Sequence, residues 1–138
     1  MDAYCGALEL LGAGTVFTPK ERNLHEFCRQ IERGLPGESV EILIRNVPLS
    51  GRSEWRRYIA GRHVGPHLNV HYSERAGRLA YILALSKEVW GEWTAAHTFL
   101  TKPHPLLDGR SPLSTSKTEW GAREVETLLR KIQFGLPV

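Results

Sequence analysis

The stretch SERAGRLAYILALSKEVWG, residues 73–91, decides the fold of this 138-residue chain. Its apolar residues recur three and four positions apart, which is the spacing of one face of an α-helix; they are Leu79, Ile82, Leu83, Val89 and Trp90. Ser73-Glu74 predicts where this helix starts, and Gly91 predicts where it ends. Because a long helix with an apolar face needs other elements to cover that face, the stretch predicts the centre of a helical domain.

Shorter segments on both sides show the same helical spacing. Thr18-Pro19-Lys20-Glu21 has the residues of a capped helix start, and it precedes an apolar stripe at Leu24, Phe27, Cys28 and Ile31. Further helices are predicted at 38–46, 53–60, 92–100 and 122–134, with a short helix or turn at 67–70. No segment alternates with the period of two that is typical of a strand. The chain is therefore predicted to be all-α, with residues 1–17 forming a loose arm or one short helix.

Composition indicates a globular protein, since 41% of the residues are apolar and 24% are charged. No apolar run approaches the roughly 20 residues that a membrane-spanning helix needs. The first residues do not combine a basic segment with an apolar one, so we expect no secretory signal and a cytoplasmic location without membrane contact. The two cysteines are too few for a disulfide scaffold or a four-cysteine metal site.

Positive charge is concentrated in the middle of the chain, although the formal net charge is only +3. The segment 45–78 contains two glutamates and the arginines 45, 52, 56, 57, 62, 75 and 78. The predicted helices at 38–46 and 53–60, with the turn between them, suit a helix-turn-helix unit, in which Arg52, Arg56, Arg57 and Arg62 would contact DNA phosphates. A solvated arginine-rich face explains the same pattern, and both interpretations stay open.

Residues that could support catalysis or metal binding do not form a convincing set. His63, His67 and His71 are four positions apart, but Gly65-Pro66 interrupts the helix that would align them as ligands. The sequence has neither a GxSxG motif nor a glycine-rich phosphate-binding loop. We therefore predict no catalytic residues, no metal, no cofactor and no enzymatic activity.

The C-terminal half carries an ordered set of motifs. They are RLAYILALSKEVWG at 78–91, AAHTFL at 95–100, KPHPLLDGRSPL at 102–113 and TEWGAREVETLLRKIQFG at 118–135. In order and spacing this half resembles the toxin-binding domain of the Xre/MbcA/ParS antitoxins. It departs from the family pattern at Phe99, where tryptophan is usual, and at Ser114–Lys117, where apolar residues are usual.

This resemblance implies a division of the chain and a function. Residues 18–77 would be a degenerate Xre-like helix-turn-helix region, and residues 78–138 would be the toxin-binding domain. The chain would be a non-enzymatic antitoxin of a type II toxin–antitoxin pair. Its partner would be a RES-domain toxin that consumes NAD, as an NADase or an ADP-ribosyltransferase.

The resemblance also implies that the C-terminal helix and tail cover the NAD cleft of the toxin. The expected contact residues are Val125, Leu128, Leu129, Arg130, Lys131, Ile132, Phe134, Gly135, Leu136, Pro137 and Val138. Alternatively, the apolar stripe of this helix is the chain's own core and the tail is frayed. A homodimer, a heterotetramer with toxin and autoregulation through promoter DNA are further expectations. The alternative function is a DNA-binding repressor without a toxin partner.

Overall fold

The computed structural model describes residues 2–138, and its regular elements are helices. In chain order they are α1 (Ala3–Leu10), α2 (Leu24–Arg33), α3 (Glu38–Ile44), α4 (Arg52–Ala60), α5 (Val70–Trp90), α6 (Trp93–Thr101), α7 (Pro112–Thr115) and α8 (Glu119–Gln133). Two 3-10 turns lie at Leu49–Gly51 and Pro105–Leu107. No strand forms within residues 2–138, so the all-α prediction is confirmed. None of the helices described is both long and apolar enough to cross a membrane.

Helix α5 is the centre of the fold. It packs against α1, α2, α3, α4, α6 and α8, and Leu79, Ile82 and Leu83 are buried as their spacing predicts. The end of the helix is also as predicted, because Gly91 adopts a left-handed φ of 85° and its N–H bonds to the Lys87 carbonyl at 2.8 Å. The stripe stops short of this end: Val89 is half-buried and Trp90 is exposed.

The start of α5 differs from the prediction. The helix begins at Val70, and the side chain of Asn69 caps it by accepting the Tyr72 N–H at 2.9 Å. Ser73 is instead buried, and its hydroxyl oxygen accepts the N–H of Leu35 at 2.9 Å. The hydroxyl of Ser73 therefore satisfies a buried amide from a distant part of the chain and does not cap its own helix.

The N-terminal segment forms part of the core. Of the two forms predicted for residues 1–17, a loose arm or one short helix, the structure has a helix at Ala3–Leu10. Ala7 and Leu8 are fully buried, and a side-chain carbon added at Gly6 would lie 3.1 Å from Ala84 of α5. Because Gly6 has no side chain, α1 can approach α5 closely at this position.

Helix α2 begins later than Thr18, where the sequence placed its start. Asn23 is its N-cap and accepts the Glu26 N–H at 3.0 Å. Asn23 and Glu26 have the same spacing as Thr18 and Glu21, so the sequence contains two possible starts and the structure uses the second. Within the predicted stripe Phe27 is buried, whereas Leu24 and Cys28 are exposed and line a groove beside α5 and α8.

A glycine in the first turn of α8 should be intolerant of substitution. A Cβ at Gly121 would lie 1.9 Å from the backbone carbonyl oxygen of Thr115. Since a backbone atom cannot move as a side chain can, we expect Gly121→Ala to lower the free energy of unfolding by about 1–3 kcal/mol or more. Urea denaturation measures this, with Glu124→Ala on the exposed side of α8 as the control. Equal midpoints for the two variants would contradict this packing.

Tyr81 should be the last tyrosine to ionise. Burial raises the pKa of its phenol, and the hydrogen bond that it donates to the Glu126 carboxylate raises the pKa further. The fold favours the neutral phenol, so this stabilisation is complete below the ordinary tyrosine pKa of about 10 and declines as the pH rises above it.

A spectrophotometric titration of the four tyrosines should therefore show one that ionises above the rest. Tyr81→Phe should remove that step. If all the tyrosines of the wild-type protein ionise together near pH 10, the environment assigned to Tyr81 is incorrect.

Candidate functional site

Helix α8 has a buried face that packs on α5. Thr118 caps the helix by accepting the Gly121 N–H at 3.0 Å. Val125, Leu128 and Leu129 are buried in the core of the chain. Their burial agrees with the alternative that the stripe belongs to the chain's own core, since α5 needs apolar cover on this side, and a contact of these three side chains with a partner stays a prediction.

The C-terminal end of α8 closes in a defined turn. Gly135 has a left-handed φ of 70°, and its N–H bonds to the Ile132 carbonyl at 3.1 Å. The N–H of Leu136 bonds to the Lys131 carbonyl at 2.8 Å. These two hydrogen bonds form a Schellman motif, with Pro137 directly after it. The turn directs the last residues back across the end of the helix.

Large apolar side chains in this tail remain accessible. Phe134, Leu136 and Val138 have relative exposures of 70%, 53% and 57%. Leu136 and Val138 line a groove of about 720 Å³, here called the tail groove. Its other apolar walls are Trp90, Phe99, Pro103 and Pro105. An exposed apolar patch of this kind is typical of a surface that another molecule covers.

Two cationic side chains lie at the same end of α8. Arg130 and Lys131 are in its last turn, where positive charge is favourable beside the free carbonyls of a helix. Both are half-buried, and Arg130 donates to the Gln133 side chain at 2.9 Å. Ile132 is partly buried against the core. The structure therefore brings the predicted cations and the predicted tail together at one end of the molecule.

A second apolar surface, which was not predicted from the sequence, lies around Trp120 on the outer side of α8. Trp120 is 73% exposed, with the Arg123 guanidinium 4.9 Å from its ring centroid. Together with Leu106 and Thr127 it lines a groove of about 540 Å³. The sequence carries a signal for this surface: Trp120 is five positions before Val125, which at about 100° per residue places it off the buried stripe.

The arginines predicted to contact DNA have different environments. Arg52 donates to the carbonyls of Val47 and Arg45 at 2.7 and 2.9 Å, so its guanidinium closes the turn after α3. Arg56 forms an ion pair with Glu41 of α3. Arg57 and Arg62 are exposed. The four side chains thus do not form one free cationic surface.

Comparison with known proteins identifies the C-terminal part. Residues 86–135 match the family model of the antitoxin Xre/MbcA/ParS C-terminal toxin-binding domain. The chain is also similar to the antitoxin Xre of Pseudomonas putida, at 35% identity over 68 residues. That match covers 49% of this chain and 43% of the relative, so the chain spans less than half the length of the relative. Residues 86–135 are therefore similar to the toxin-binding domain of the Xre/MbcA/ParS antitoxins.

Proposed function

We propose that the chain is a non-enzymatic antitoxin of a toxin–antitoxin pair, and that it binds its toxin with the end of α8 and the C-terminal tail. One observation carries this proposal. The segment that matches a toxin-binding domain ends in a directed turn, after which Leu136 and Val138 are exposed beside an apolar groove. Exposed apolar side chains that are contiguous with an apolar groove are typical of a surface that another molecule covers.

The geometry of the tail suits insertion into a partner. The Schellman turn and Pro137 restrict its backbone before binding, which reduces the conformational entropy lost when the tail becomes ordered on the toxin. Complete burial of a side chain such as Phe134 or Leu136 contributes roughly 1.5–3 kcal/mol. Several apolar anchors on a restricted segment therefore favour an inhibitory contact.

We propose further that the partner is a RES-domain toxin that consumes NAD, and that the tail covers its NAD cleft. The similarity of residues 86–135 to this toxin-binding domain supports the extension, and Arg130 and Lys131 beside the tail would pair with acidic groups of the toxin. A cytoplasmic location and a homodimer that forms a heterotetramer with toxin belong to the same proposal. The mass of the co-purified complex measures that stoichiometry.

Truncation of the tail tests the proposal directly. Deletion of 134–138 should leave the helical circular dichroism spectrum nearly unchanged, because the side chains are exposed, and should lower the unfolding midpoint only by the loss of the C-terminal cap of α8. It should weaken binding to the co-expressed toxin at least tenfold, which corresponds to about 1.4 kcal/mol. The assay is NAD consumption by the toxin titrated with antitoxin.

The matched control is Leu49→Ala, which removes an equally exposed apolar side chain far from α8 in the sequence. It should inhibit the toxin as well as the wild type does. Full inhibition by the truncated chain would remove the tail from the mechanism, and a toxin that stays active beside the intact chain would refute the proposed function.

DNA binding is the second candidate, and the exposure of Arg57 and Arg62 is the observation that favours it. Contact through these two side chains alone would neutralise few phosphates. A shift of promoter DNA should therefore occur only at low salt, and the Arg57→Ala/Arg62→Ala double variant should abolish it. Arg52→Ala should instead lower stability, since Arg52 bonds to two backbone carbonyls. The absence of any shift at low salt would dismiss this candidate.

A further inference from the structure

The polar run 114–117, where the sequence departs from the family pattern, forms hydrogen bonds within the structure. The hydroxyl groups of Thr115 and Ser116 donate to the carbonyls of Ser111 and Pro112 at 2.9 and 2.7 Å, so both are satisfied within α7 and its caps.

Lys117 contacts other helices. Its backbone carbonyl accepts one hydrogen bond from the Tyr58 hydroxyl at 2.8 Å and another from the Arg78 guanidinium at 3.0 Å. One carbonyl just before α8 is therefore held by α4 and by α5.

Ionic contacts reinforce this connection. The Lys117 ammonium forms an ion pair with Glu54 of α4. Arg78, half-buried on α5, lies 3.6 Å from the Glu119 carboxylate at the first residue of α8. In each case a residue of α4 or α5 contacts the turn from which α8 starts. The residues that make these contacts are Glu54, Tyr58, Arg78 and Lys117.

Tyr58 is itself held in position. The Arg75 guanidinium lies 4.3 Å from the centroid of its ring and donates to its backbone carbonyl at 3.0 Å. The ring of Tyr58 also meets buried Trp55 edge to face, with centroids 5.6 Å apart. The hydroxyl of Tyr58 is thus presented to Lys117 by a packed surface and not by a freely rotating side chain.

The N-terminal end of α4 is covered by the same part of the chain. A Cβ at Gly51 would lie 2.8 Å from the Leu113 side chain, so the turn before α4 touches α7 closely. In a helix-turn-helix protein the N-terminal residues of the second helix must be free to meet base edges. Here one side of that end lies against α7 and the turn before α8, while Ser53 and Glu54 are exposed.

We propose that α4 is the anchor that positions the partner-binding helix α8. The proposal rests on the proposed function for the partner-binding role of α8. Glu54 and Tyr58 are positioning residues in it. They act through Lys117 on the start of α8, and hence on the exposed surfaces that α8 carries.

Hydrogen exchange of the full chain tests the anchor without any partner. Tyr58→Phe keeps the ring and removes one hydrogen bond to Lys117. Amide exchange in the peptide 118–126 should become about two- to tenfold faster, the factor expected for the loss of one hydrogen bond of ordinary strength. The control is Glu41→Gln, which breaks the ion pair between α4 and α3 and should leave exchange in 118–126 unchanged. If amide exchange in 118–126 is the same in Tyr58→Phe as in the wild type, the anchoring role of α4 is refuted.

The charge pair provides a rescue experiment. Lys117→Glu should weaken binding to the co-purified toxin about threefold or more, while the unfolding midpoint shifts little, as for other partly exposed ion pairs. Adding Glu54→Lys restores the pair with reversed sign and should restore the affinity. Weakened affinity that the reversed pair does not restore would overturn the positioning role. If the wild type binds no toxin, the proposed function fails, and the exchange experiment still decides on the anchor.

Discussion

The need to cover α5 on all sides controls the rest of this structure. This 21-residue helix lies against six others, and each contributes apolar side chains to it. Free energy from this burial, at roughly 25 cal/mol per Å² of apolar surface, is the main term that stabilises a small helical domain. Helices α1 and α8, which lie far apart in the sequence, both cover α5, so both are part of the core.

The same constraint determines what α8 can offer to a partner. Its regular stripe, Val125, Leu128 and Leu129, is used inside the chain. The residues left for recognition are those outside the stripe, namely Trp120 on the outer side and the tail that follows Gly135. An exposed tryptophan with an arginine stacked on it has the composition of residues that dominate protein–protein interfaces. The surface proposed for recognition therefore lies where the core of the chain ends.

The arginines of the middle segment show how tertiary contacts change the meaning of charge. A guanidinium has five donors in a fixed plane and can bond to backbone carbonyls as well as to phosphates. Arg52, Arg75 and Arg78 each donate to a backbone carbonyl in this chain. In the sequence, the segment 45–78 resembles a surface that binds polyanions. In the structure, these three arginines instead form hydrogen bonds that connect α3, α4 and α5 to one another and to the start of α8.

Local sequence alone predicted the all-α class, six of the helices and several of their ends, because the period of 3.6 and signals such as Gly91 act within a few residues. It also indicated the similarity of the C-terminal part to a toxin-binding domain, because the order and spacing of the motifs can be read without coordinates. It did not determine the start of α2, where two cap sequences compete, or the use of Ser73.

Only the tertiary structure decided that α1 lies in the core, that the stripe of α8 faces inward and that Arg52, Arg75 and Arg78 bond to carbonyls. The physical reason is that burial and hydrogen-bond partners depend on groups far away in the chain. Ser73 and Leu35 are 38 residues apart, and Tyr58 and Lys117 are 59 apart. No local pattern contains the partner of such a contact, so it exists only once the helices are packed.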